Sequence, residues 1–110
     1  MATYKEEWIA KGVVRGTWTL TDGETGATMR APSLPDKTVS VFGNFGTGGT
    51  VLIERTTGET LNDPQGNPLS FATPARTEEI LEAPTDLRPR VSAGTGVNLT
   101  VEITATSPHR

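Results

Sequence analysis

The clearest periodicity in the chain lies near its C-terminus. Leu99, Val101, Ile103 and Ala105 alternate with Asn98, Thr100, Glu102 and Thr104, the period of two that a half-buried strand requires. Residues 13–20 repeat it: Val14, Trp18 and Leu20 share one side with Gly16 between them, and Val13, Arg15, Thr17 and Thr19 share the other. Val39, Val41, Gly43 and Phe45 fall on one face of a strand over residues 38–45, and Val51 and Ile53 alternate over residues 50–55. Gly46-Thr47-Gly48-Gly49 separates these two runs. Two alternating runs around a short Gly-rich stretch predict a β-hairpin, with Glu54 facing outward on its return strand.

The rest of the chain is finely punctuated. Asp22-Gly23, Thr25-Gly26 and Gly94-Thr95-Gly96 read as turns, and Asp63-Pro64-Gln65-Gly66-Asn67-Pro68 as a double turn. A short strand over residues 27–31 is stopped by Pro32, and Leu69-Ser70-Phe71 is β-like. Residues 77–82 carry three glutamates that favour a helix, but Pro74 and Pro84 fence the segment. It reads as a strand with Ile80 inward. Pro89 falls inside residues 87–91, which predicts an edge strand or a bulged one. Seven or eight short strands without a long helix predict an all-β fold: an antiparallel β-sandwich of jelly-roll or immunoglobulin-like order.

The first residues follow another pattern. Tyr4, Trp8 and Ile9 are spaced as on a helix among Lys5, Glu6, Glu7 and Lys11, yet the segment is too short for a stable isolated helix. It reads equally well as an extended arm ended by Gly12. The expected organisation is an N-terminal arm over residues 1–12, one sandwich domain over 13–106 and a polar tail over 107–110. Large apolar groups ahead of a domain are candidates for anchoring on a partner, so Tyr4, Trp8 and Ile9 are the candidate binding residues. The competing reading folds Trp8 back over one end of the sandwich. Trp18, in an aromatic-poor strand, is expected in the core.

Composition narrows the function classes. Only 34% of the 110 residues are hydrophobic and 5% aromatic, a thin core for one domain and one that gains from self-association or a partner. Threonine is the commonest residue, in keeping with a sheet protein. The net charge of −3 and the scattered Lys and Arg argue against nucleic acid, which calls for a concentrated basic face. The chain has no cysteine, so disulfides and thiolate metal sites are excluded. No run approaches the ~18 apolar residues of a membrane span, and the N-terminus lacks a signal peptide's apolar stretch. A soluble product made in a cytoplasm is expected.

No constellation for catalysis stands out. The single histidine, His109, sits next to the C-terminal residue, where a general base has little to hold it. Glu54 with Glu59, or Glu78 with Glu79 and Glu82, are the paired carboxylates available for acid–base work; a solvated acidic face explains them more simply. Asp22-Gly23-Glu24 and Asn62-Asp63 are pieces of a calcium loop without the whole. The Gly-rich stretch from Gly43 to Gly49 lacks the Lys-Ser/Thr and the helix of a phosphate loop. Asn98-Leu99-Thr100 is a glycosylation sequon inside a core strand. No enzyme, cofactor or metal is expected.

Several stretches resemble small structural proteins of tailed phages. They are Val39-Ser40-Val41-Phe42-Gly43-Asn44-Phe45-Gly46 with Gly49-Thr50-Val51-Leu52-Ile53-Glu54, Leu61-Asn62-Asp63-Pro64-Gln65-Gly66-Asn67-Pro68-Leu69-Ser70-Phe71, Leu87-Arg88-Pro89-Arg90-Val91, and Leu99-Thr100-Val101-Glu102-Ile103. The resemblance spans residues 38–105 and rests on turn and strand motifs. It departs at Arg55-Thr56-Thr57-Gly58, where those proteins carry a Ser-Asn-Asp-Gly turn. It implies a capsid decoration, or cement, protein on the outside of the virion head. Such a protein binds the major capsid protein and forms a dimer or trimer at symmetry axes. A glycan-binding adhesin with Trp18 and Tyr4 as sugar platforms, and a tail or baseplate protein, are the alternative readings.

Overall fold

In a computed structural model, residues 2–30, 36–80 and 86–106 are described. They form an antiparallel β-sandwich of nine strands without a helix: β1 (Thr3–Ala10), β2 (Val13–Thr21), β3 (Met29–Arg30), β4 (Asp36–Asn44), β5 (Thr47–Arg55), β6 (Ser70–Phe71), β7 (Ala75–Glu79), β8 (Asp86–Thr95) and β9 (Asn98–Thr106). One sheet has the order β1-β2-β9-β4-β7 and the other β3-β8-β5-β6. The alternation read from the sequence is realised in β2 and β9, whose residues are buried at every second position. Trp18, Leu20, Leu99, Val101 and Ile103 from the first sheet meet Met29, Val51, Ile53, Leu87 and Val91 from the second in one core.

The hairpin expected over residues 38–55 does not form. β4 pairs with β9 and β7, whereas β5 pairs with β8 and β6. The chain crosses from one sheet to the other at Phe45-Gly46. β8 and β9 cross back beside it through Gly96-Val97, so β4–β5 and β9–β8 form one two-stranded ribbon bent over the edge of the sandwich. Gly46 lets the corner close. Its φ is +60°, and a Cβ there would overlap the Thr95 carbonyl oxygen. The Asn44 side chain accepts the Gly46 N–H at 2.8 Å, and the Asp22 carboxylate accepts those of Gly96 and Val97 at 3.1 and 2.7 Å. Alternation fixes which side of a strand is apolar; it does not say which strand lies alongside.

Pro89 lies opposite Ile53 of β5 in a strand that is central rather than at the edge, and that strand is bulged, as the alternative reading has it, between Val91 and Ala93. Its carbonyl oxygen accepts the Gly26 N–H at 2.8 Å. A strand residue directs its N and O to the same side, so the imino nitrogen faces the irregular chain of residues 24–28, where no ladder bond is lost. Ile80 is buried as expected. The double turn is built on Asp63, whose side chain accepts the backbone N–H groups of Gln65 and Asn67 at 3.0 and 2.9 Å, an Asx turn.

Candidate functional site

The N-terminal segment is extended and joins the sheet. Residues Thr3 to Trp8 pair in register with Thr19 to Val14, and a bulge at Ile9 shifts Ala10 to face Val13. Lys11 and Gly12, the latter at φ 77°, close the turn into β2. β1 is an edge strand, and among the described residues nothing pairs with its outer side. Every β1 residue except Tyr4 is exposed.

The candidate residues part company here. Tyr4 and Trp18 are cross-strand partners, with rings stacked at 4.7 Å between centroids and 25° between planes. Trp18 is fully buried and donates from Nε1 to the Ala27 carbonyl at 2.7 Å. Gly16 makes room for the tyrosine, since a Cβ there would lie 3.0 Å from the Tyr4 ring. The Tyr4 hydroxyl donates to Glu6 Oε1 at 2.5 Å. Partial burial, then the Glu6 carboxylate, raise the phenol's pKa well above its ordinary 10. Tyr4 is thus anchored to the body. Trp8 does not fold back: it is 66% exposed and Ile9 50%. On the outer face of the strand Lys5 Nζ lies 3.6 Å from Glu7.

Of the candidate carboxylates, Glu54 and Glu59 are each held by separate partners. Glu54 is buried, contrary to the outward, solvated position expected for it. Its Oε1 accepts from Arg90 Nε at 2.7 Å, and its Oε2 accepts from Arg88 Nε at 3.0 Å and Nη2 at 2.9 Å. Burial pushes its pKa up, but the hydrogen bonds and charges of Arg90 and Arg88 outweigh this and hold it below the ordinary value. Both oxygens are engaged, so this group is a structural ion triad. The signal was present in the spacing of Arg88 and Arg90, two apart and therefore on one strand face. Glu59 is exposed and accepts from Thr57 Oγ1 at 3.0 Å. Glu78 and Glu79 belong to β7. Glu82 and His109 lie outside the described residues.

The calcium-loop pieces serve as turn ligands. Asp22 holds the β8–β9 corner, and Glu24 Oε1 accepts both the N–H and the hydroxyl of Thr21 at 2.7 Å each. The Thr21 bonds draw the Glu24 pKa down to about 2. Among the described residues no group of three or more His, Asp or Glu side chains is placed to hold a metal ion. Phe42, 43% exposed on β4, is the other large apolar side chain at the surface among the described residues.

No family model matches the chain, and no curated protein does. Among solved structures, a cupin domain from Bordetella pertussis Tohama I superposes on 96% of this chain and 94% of its own length. The TM-score is 0.44 and the sequence identity 18%.

Proposed function

We propose that this chain is a structural protein of a tailed-phage virion. On this reading it is made in the host cytoplasm, binds the outside of the head and stabilises contacts between major capsid protein subunits without catalysing a reaction. The observation that carries the reading is the placement of Trp8 and Ile9. Both are large, apolar and solvent-facing on a strand held rigidly to the body by β2 and by the Tyr4–Trp18 stack. Exposed aromatic and aliphatic anchors on a rigid element are what a protein-binding hot spot requires. The motif resemblance over residues 38–105 supports the same role.

The adhesin reading loses ground on one observation. Trp18 is in the core and Tyr4 lies stacked against it, so neither ring is free to serve as an open sugar platform. A tail or baseplate position would use the same exposed strand.

The test is retention on heads. Purified phage heads that lack the protein are incubated with it and sedimented. Saturable co-sedimentation and a raised temperature of head opening are expected. Absence of saturable binding would overturn the reading.

A further inference from the structure

We infer that the open edge of β1 is an interface for a second copy of this chain, joined β1 to β1 in antiparallel fashion so that two five-stranded sheets become one. The inference stands on the exposed strand and is independent of any capsid. β1 is eight residues long, contains no proline and is the free end of its sheet among the described residues. A long regular edge with unpaired backbone groups invites another strand unless it is shortened, bent or covered. Among the described residues the protection is limited to the bulge at Ile9 near one end and to three charged side chains.

The pairing register follows from the side chains. A continuous sheet places residues of the same face opposite each other. Tyr4, Glu6 and Trp8 share the inner face with Trp18, Gly16 and Val14, while Lys5 and Glu7 share the outer face with Thr17 and Arg15. Centring the two-fold on Glu6 sets Lys5 of each copy against Glu7 of the other, two ion pairs on the outer face. It also sets Tyr4 against Trp8 of the other copy. The Trp18–Tyr4 stack is then extended by a third ring, in the aromatic cross-strand pairing that favours sheets. Moving the centre to Lys5 opposes two lysines, and moving it to Glu7 opposes two glutamates and leaves Lys5 against Ile9. Charge complementarity selects the Glu6 centre, whose one unfavourable contact is Glu6 against Glu6. Edge pairing consumes backbone groups and leaves the strand faces open to another partner.

The chain has no cysteine, which allows a direct test of register. In the proposed dimer the two Glu6 Cα atoms are about 4.5–5.5 Å apart, within the span of a disulfide. Full-length Glu6→Cys is expected to form a disulfide-linked dimer under mild oxidation. Lys5→Cys and Glu7→Cys are each expected to give no disulfide-linked dimer alone and to crosslink when mixed. In sedimentation velocity, Lys5→Glu and Glu7→Lys should each weaken wild-type self-association at least tenfold, and mixing the two should restore it. Wild-type protein that stays monomeric at hundreds of micromolar would overturn the inference. So would folded Glu6→Cys that fails to crosslink, or charge variants that associate like wild type.

Discussion

The carboxylate of Asp22 accepts the backbone N–H of Val97 at 2.7 Å, across 75 positions of sequence. This bond joins the turn after β2 to the corner where the chain passes from β8 to β9, and Asp22 holds Gly96 there as well. The corner has no other described partner for these two N–H groups, and Val97 itself is buried. Asp22→Ala should therefore destabilise the fold by about 1–2 kcal/mol, the scale of hydrogen bonds to a charged group lost at a partly exposed site. Asp22→Asn, which keeps one acceptor, should lose less. Urea unfolding midpoints at constant m-value measure both.

The second corner residue makes a stronger demand. Gly46 has a positive φ and a Cβ added there would overlap the Thr95 carbonyl oxygen, so both backbone conformation and space exclude a side chain. Gly46→Ala should destabilise by more than about 1 kcal/mol. Gly48, also at positive φ but with nothing near its Cβ position, should show only the conformational part. Thermal denaturation of the two alanine variants side by side separates steric from conformational cost.

The Glu54 triad sets a further expectation. Removing the carboxylate leaves two guanidinium groups facing each other at a partly covered site, and Glu54→Ala should cost about 2–3 kcal/mol. Glu54 and Glu24 both have folded-state pKa values below 4.5, Glu24 at about 2. A carboxyl whose folded pKa is depressed contributes stability that is full above its unfolded pKa and is lost as pH falls through the folded value. Stability should thus be flat from neutrality to about pH 5 and then decline as pH is lowered from 4.5 toward 2. Glu54→Gln and Glu24→Gln should each flatten that decline. Urea titrations across this range in the three proteins provide the check. A decline of equal steepness in all three would contradict the assignment.

The two tryptophans should be distinguishable in solution. Trp18 is enclosed and hydrogen-bonded to Ala27, while Trp8 is two-thirds exposed. Trp8→Phe should leave a blue-shifted emission resistant to acrylamide. Trp18→Phe should leave a red-shifted, readily quenched one, at a stability cost of about 1–3 kcal/mol from the unpaired Ala27 carbonyl and the lost volume.

How much of this could be read from residues alone depends on what each kind of signal encodes. The inward sets of β2 and β9 were legible because a period of two states directly which side is buried, and Trp18 fell into place with them. Pairing was less legible. The alternation of Val39 and Val41 with Val51 and Ile53 suits a hairpin and a strand that changes sheets equally well. The deciding facts, the Thr95 carbonyl against Gly46 and the Asp22 bonds, join distant positions. Pro89 misled for a related reason: its missing N–H matters only on the side where a regular neighbour lies, and that side faces residues 24–28. Tyr4, Trp8 and Ile9 were conspicuous as apolar residues in a charged segment. That Tyr4 would be held on Trp18 while Trp8 stayed in water follows from the strand register, which helical spacing had obscured.

The account rests on Trp8 and Ile9 acting as the contact that fixes this protein to its partner, and occupancy of phage heads measures that directly. Heads lacking the protein are titrated with wild type, with Trp8→Ser/Ile9→Ser and with Phe42→Ser as an exposed control on β4. Bound copies are counted after sedimentation. The expected result is at least a tenfold loss of affinity, about 1.4 kcal/mol, for the double variant with an unchanged circular dichroism spectrum, and near wild-type occupancy for Phe42→Ser. Full occupancy by the double variant would contradict it.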